Sequence, residues 1–296
     1  MATAVATPTL GADDPLRATR PSPPSLTQAV RLARYQLRDY LYSRRFILMM
    51  AIVAIIGVIL TALVGYFRPA SLLDSSNDFY DAVWAGGITI VIVFAGVIFG
   101  GDAIAGEFQN KTGYFLMGLP VRRATVYVGK YLAAFTASLV AVLAFALILV
   151  GNAVFYFGAG AFTLALGESF LLALTYMLAL LGATFMFSSM FKTSTYAVLV
   201  VAVLFIFGFS VIQELVTALW RIEPWFLITY SDSIIGYPFL STLPPHISTM
   251  AISARPGAPT LTMYNPTYAE GIAVMLGYFV LTALGGLGLF ELEEFT

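Results

Sequence analysis

The sequence contains no cysteine and a single histidine, His246. The first absence removes disulfide frameworks, thiolate metal sites and cysteine nucleophiles, and one imidazole argues against a histidine-cluster metal centre. Charge is scarce too: Asp, Glu, Lys and Arg make up 10% of 296 residues, against about 25% in soluble domains. Too few charged side chains are present to cover the surface of a water-soluble domain this large. The formal net charge of −1 supplies no field for nucleic acid, which is not expected as a partner.

What the chain has instead is long apolar sequence. Six runs lack any ionisable residue: Phe46–Tyr66, Val83–Gly101, Tyr131–Phe157, Ser169–Phe191, Thr195–Ile212 and Gly271–Phe290. A hydrocarbon core about 30 Å thick takes roughly 20 such residues as helix. Backbone polar groups have no water there, so each run must satisfy them internally as a helix. A transmembrane barrel would instead alternate apolar and polar residues along each strand. The fold expected is an all-α integral membrane protein with six transmembrane helices over 46–296. The fifth run can extend to Trp220, carrying Gln213 and Glu214 to a membrane surface.

Residues 1–25 are rich in Ala, Thr and Pro and lack the compact apolar core of a secretory signal, so a disordered cytoplasmic tail is expected. Lysine and arginine then set the orientation. With both termini cytoplasmic, twelve basic residues (Arg17, Arg20, Arg31, Arg34, Arg38, Arg44, Arg45, Lys111, Arg122, Arg123, Lys130 and Lys192) fall inside and three (Arg68, Arg221 and Arg255) outside. A multi-pass protein of the plasma membrane is the reading. Residues 26–45 form an amphipathic helix: Leu26, Val30, Leu37 and Leu41 share one stripe, and Arg31, Arg34 and Arg38 line the next. Such a helix lies in the headgroup plane with its arginines towards phosphates, or packs on protein as a cytoplasmic helix.

Intramembrane chemistry is missing as well. No span holds a carboxylate or histidine of the kind that marks ion-coupled carriers, and no catalytic, cofactor-binding or metal-ligating set can be named. A phosphate-cradling glycine loop is also absent, since Gly129-Lys130 is followed by Tyr131. Asn152, Thr184, Ser188 and Ser189 read as helix–helix hydrogen-bonding groups. Glycines recur in the second run (Gly86, Gly87, Gly96, Gly100, Gly101) and the sixth (Gly277, Gly285, Gly286, Gly288). They suit close packing within the chain or against a second copy.

Two loops are long, the cytoplasmic 102–130 and the external 220–270. The external one carries seven prolines between Pro224 and Pro266, which break any continuous helix. Its aromatic residues (Trp220, Trp225, Phe226, Tyr230, Tyr237 and Phe239) predict segments at or dipping into the outer interface. In the cytoplasmic loop, Glu107 to about Met117 fits a short helix with Phe108, Phe115 and Leu116 on one side, followed by Pro120-Val121-Arg122-Arg123. Residue chemistry alone allows it to dock a soluble partner or to rest on lipid.

This stretch resembles the cytoplasmic loop of ABC-2-type transporter permeases: an acidic residue, Gly-Thr, an aliphatic run, Pro-Val, basic residues and a lysine opening the next span. Glu107, Thr112, Pro120-Val121, Arg122-Arg123 and Gly129-Lys130 match in order. Lys111 stands where the family has glycine, with Gly113 just past Thr112. The resemblance extends to an interfacial "elbow" helix, six spans and an external segment between the fifth and sixth. It implies a coupling helix (Glu107, Phe108, Lys111, Thr112, Gly113) seated in the groove of a separate ABC ATPase subunit, with Pro120, Arg122 and Arg123 at its rim. It also implies a homodimer or paralogous heterodimer of permeases in the lipid bilayer, ATP and Mg bound by the partner alone, and substrate export. The competing readings are a stand-alone secondary transporter or channel, and a non-transporting membrane assembly factor.

Overall fold

The computed structural model describes residues 24–110, 121–251 and 260–292. An amphipathic helix, Ser25–Leu41, leads through the turn at Ser43 into six helices long and apolar enough to span a membrane: Arg44–Phe67, Ser76–Gln109, Arg123–Ala161, Leu164–Met190, Ser194–Trp220 and Tyr268–Leu292. The architecture is the all-α membrane fold expected from composition. The disordered-tail reading of residues 1–23 lies outside the described residues.

Each span overruns its ion-free run where polar residues continue the helix beyond the apolar core. The second begins at Ser76, whose preceding Ser75 accepts a hydrogen bond from Asp78 N, and so takes Asp78 and Asp81 into its first turns. The third begins at Arg123 rather than Tyr131 and includes Lys130. The fifth continues to Trp220, and Gln213 Oε1 there accepts a hydrogen bond from Thr229. The second and fifth spans each contain two wide π turns, at Asp81–Ala85 and Gly96–Gly100, and at Leu204–Gly208 and Val216–Trp220. Such turns are commonly placed at functional positions.

The second, third and fourth spans form the centre. Trp84, Ile88, Ile92 and Phe99 of the second pack with Phe145 and Leu149 of the third and Tyr176, Leu180 and Phe185 of the fourth, all fully or almost fully buried. Gly96 and Gly100 have no room for a side chain, because Leu180 and Thr184 of the fourth span occupy the space a Cβ would take. Packing within the chain therefore accounts for these two glycines, and for Gly87 against Phe145 and Gly286 against Tyr127 and Met186. Gly86, Gly277 and Gly288 face open space.

The peripheral spans leave broad apolar faces uncovered. Leu199, Val203, Phe207, Val211, Leu215 and Leu219, spaced four apart on the fifth, are all exposed, the surface a lipid-facing helix presents. The first and fifth spans both stop on a residue in the left-handed conformation, Arg68 (φ 41°) and Arg221 (φ 50°).

Beyond Trp220 the chain does not simply loop through solvent. Short helical turns at Ile228–Ser231, Asp232–Ile235 and Tyr237–Phe239 lay Ile228, Tyr230, Ile234, Ile235 and Phe239 into the bundle. Trp84 Nε1 donates to Ser169 Oγ (2.8 Å), which donates to the Ile235 carbonyl (2.5 Å). Tyr80 stacks on Phe239 at 5.5 Å. Of the aromatic residues expected at the outer interface, Tyr230, Tyr237 and Phe239 are buried against the bundle and Trp220, Trp225 and Phe226 are exposed. An antiparallel hairpin follows, Ile247–Ala251 paired with Thr260–Tyr264, a small strand element that the apolar runs do not foretell.

Candidate functional site

At the end of the bundle beside the N-terminal helix, the second span breaks after Gly101 into turns and resumes as Ala105–Gln109. Two residues of the break have no helical acceptor for their N–H groups. Ser188 of the fourth span supplies one, its Oγ accepting from both Ile104 N and Ala105 N at 3.1 Å. A buried donor without an acceptor costs about 1–3 kcal/mol, so Ser188 fixes where the break falls.

Charges fill the rest of the corner. Lys130, buried in the third span, donates to Glu107 Oε1 (2.5 Å) and the Ala103 carbonyl (3.1 Å). Asp102, also buried, pairs with Arg45 at the start of the first span and accepts from Ser194 Oγ (3.1 Å). Gln109 Oε1 accepts from Ser194 N (2.7 Å), capping the start of the fifth span. Phe108 meets Phe290 of the sixth edge to face at 6.3 Å. Within the eight residues from Asp102 to Gln109, the chain thus touches all five other spans.

The surrounding elements brace this corner. Arg123 Nη1 donates to the carbonyls of Phe290 (3.4 Å) and Glu291 (2.8 Å), satisfying the last turn of the sixth span. The N-terminal helix packs Ala29 and Leu32 against Gly129, where a side chain would strike Leu32 Cδ2 at 2.7 Å. Tyr40 Oη donates to the Phe99 carbonyl (3.2 Å). On this helix Leu26, Val30 and Leu41 remain exposed, and so do Arg31, Arg34 and Arg38. The helix therefore has three faces: one on protein, an apolar one beside it, and a basic one beyond.

Of the residues singled out in the sequence, the structure brings Glu107, Phe108 and Arg123 into this corner. Glu107 faces inward to Lys130, and Arg122 stands exposed just before the third span. Lys111, Thr112, Gly113 and Pro120 lie outside the described residues. Sequence reasoning missed Asp102 and the roles of Lys130 and Ser188. Asn152 has the helix–helix role expected of it, donating to Thr61 Oγ1 at 2.8 Å.

The opposite end carries a second polar group. Asp232, brought in by the turned segment after the fifth span, lines a cavity of about 160 Å³ with Thr89, Tyr176 and Ser210. Burial raises its carboxyl to a pKa of about 7. The buried Tyr176 hydroxyl has no hydrogen-bond partner among the described residues.

These features define a class: a six-span membrane protein with a short segment at one end bonded or packed to every other span and a folded-back loop at the other. A family model described as ABC-2 family transporter protein matches residues 30–284. The chain belongs to that family, and is the permease, the membrane component, of an ABC transporter. No curated protein matches the sequence.

Proposed function

We propose that this permease is an exporter that works as a dimer, a homodimer or a paralogous heterodimer, with separate ATPase subunits that hold ATP and Mg. The N-terminal helix and the Asp102–Gln109 corner lie on the cytoplasmic side of the plasma membrane, with both termini. The ATPase docks on the segment that starts at Glu107, and its closure on ATP pushes there. The observation supporting this reading is that the corner has a bonded or packed contact with each of the other five spans. A displacement applied at one short segment then moves the bundle as a whole rather than bending one helix.

The inward pairing of Glu107 divides the labour. Its carboxylate joins the segment to the third span, while Gln109 and Asn110 are exposed and face the partner. Arg31, Arg34 and Arg38 hold the elbow helix at lipid phosphates.

Co-expression with a candidate ATPase tests the assignment. Asn110→Trp abolishes co-purification with the membrane fold intact. The charge swap Glu107→Lys/Lys130→Glu retains co-purification and recovers part of the substrate-stimulated ATP hydrolysis lost in either single variant. Solute movement by the purified chain alone in proteoliposomes, without any nucleotide-hydrolysing partner, overturns the reading.

A further inference from the structure

Three residues distant in sequence meet at the end of the bundle opposite the coupling corner. Glu223 follows the fifth span, His246 precedes the hairpin, and Glu270 lies in the first turn of the sixth span. One donor atom from each lies within 4.8 Å of the others.

The hydrogen bonds around them fix each group's role. The Asn265 carbonyl lies 2.9 Å from His246 Nδ1, and a carbonyl oxygen can only accept, so Nδ1 carries the proton. In the neutral ring Nε2 is then a bare lone pair, and it faces Glu223 Oε2 at 3.3 Å. Two acceptors at that distance repel unless a cation stands between them. Two ligands of one tetrahedral ion at about 2.0–2.1 Å are themselves roughly 3.3 Å apart.

Each of the three side chains is also held by an outer partner. Tyr230 Oη donates to Glu223 Oε1 (2.6 Å), leaving Oε2 turned to the imidazole. Thr267 donates to Glu270 Oε2 from its N (2.8 Å) and Oγ1 (3.0 Å); that oxygen lies 3.8 Å from His246 Nδ1, so Glu270 reaches an ion at Nε2 through its other oxygen, Oε1. A ligating histidine whose other nitrogen donates to a carbonyl, beside oriented carboxylates, is the outer arrangement metal sites use.

We propose that Glu223, His246 and Glu270 form a binding site for one divalent transition-metal ion, of which zinc is the natural probe. One imidazole and two carboxylates suit a borderline cation and leave a fourth position for water. This set falls outside the histidine-cluster centres that the sequence argues against. The ion joins the end of the fifth span, the base of the hairpin and the start of the sixth span. The site is independent of ATPase docking and stands whether or not the coupling proposal does.

Composition makes the test unusually clean, because His246 is the sole histidine and cysteine is absent. Tight binding of a transition metal has no other imidazole and no thiolate to use. The full-length protein, freed of any affinity tag and stripped with chelator in detergent, is titrated with Zn²⁺ by calorimetry and with Co²⁺ by visible absorption. One ion per chain, a Co²⁺ band of low-coordinate intensity and a zinc-dependent rise in melting temperature are expected. His246→Ala and Glu223→Gln weaken binding at least tenfold, and Tyr230→Phe about tenfold, the range for an outer partner. Mg²⁺ and Ca²⁺ give no signal. Equal zinc binding by His246→Ala, or no Co²⁺ band in the wild-type protein, overturns the site. The second measurement holds even if the variants do not fold. If acidification alone reproduces the thermal shift and zinc adds nothing at neutral pH, a proton fills the gap as imidazolium, and the metal assignment fails.

Discussion

The two ends of this molecule manage charge in opposite ways. At the corner beside the N-terminal helix, cation meets anion within the chain: Lys130 holds Glu107, and Arg45 holds Asp102. At the far end, Glu223 and Glu270 share one imidazole, and Asp232 has no ion-pair partner among the described residues. Charge at the corner is thus balanced within the fold. Under the proposed coupling role such a corner gains from being locked, since every contact is then stiff under load. The proposed metal site is instead open to an ion from solution.

The largest expected effect breaks the locked end. Lys130→Met leaves Glu107 partly buried without its cation, a loss of about 3–5 kcal/mol for a buried pair deprived of one member. Thermal unfolding in detergent reads it, and Arg45→Met is milder because Arg45 is half exposed. Next comes Ser188→Ala, which strands two buried N–H groups at Ile104 and Ala105 for about 1–3 kcal/mol. Hydrogen exchange at those two amides should rise before the rest of the second span responds.

Asp232→Asn sharpens the contrast from the far end. Burial raises the native carboxyl from 3.8 to about 7, so the folded state holds its proton more tightly than the unfolded chain. The wild-type protein accordingly loses stability as pH climbs from about 4 to about 7, and the loss is complete above that. Melting temperatures across this window should fall less steeply for the variant, which becomes the more stable of the two at alkaline pH. A variant curve parallel to wild type would mean that Asp232 is not buried in the folded protein. The smallest effect belongs to neither polar cluster. Asn152→Ala, in the last turns of the third span, removes one interhelical hydrogen bond worth about 0.6 kcal/mol, near the limit of a careful double-mutant cycle.

The same contrast explains what could be read from the sequence. The six spans were legible because hydrocarbon imposes one local rule on every residue of a run. That rule excluded charge, so it stopped short wherever a helix carries charged residues past the core, as at Asp81 and Lys130. At the corner, Glu107 and Lys130 stood out individually, yet 23 residues separate them and no periodicity joins them. Asp102 read as the first residue of a loop, whereas it is a buried anchor for two spans. Ser188 read as a generic helix-packing hydroxyl, since nothing local shows that another span breaks beside it.

The far end was less legible still. The prolines of the external segment correctly forbade a long helix but did not reveal where the chain goes. The hairpin had a faint signal: Ile247-Ser-Thr and Thr260-Leu-Thr alternate, with Pro244-Pro245 and Asn265-Pro266 outside them. Glu223, His246 and Glu270 come together, and Asp232 separately reaches its cavity, where Ser169, Trp84 and Tyr80 hold the returning segment in place. Contacts of that range are tertiary facts.

The left-handed stops at Arg68 and Arg221 carry a further consequence. Glycine is the residue that ends a helix this way without steric penalty, and arginine accepts roughly 1–2 kcal/mol of backbone cost to stand there. In exchange, each places a guanidinium at the pole where a span's unpaired carbonyls concentrate partial negative charge. Replacing either with glycine should relax the backbone yet loosen the helix's vertical anchorage, so that these two spans become easier to unfold locally at their tips even as the turns themselves relax.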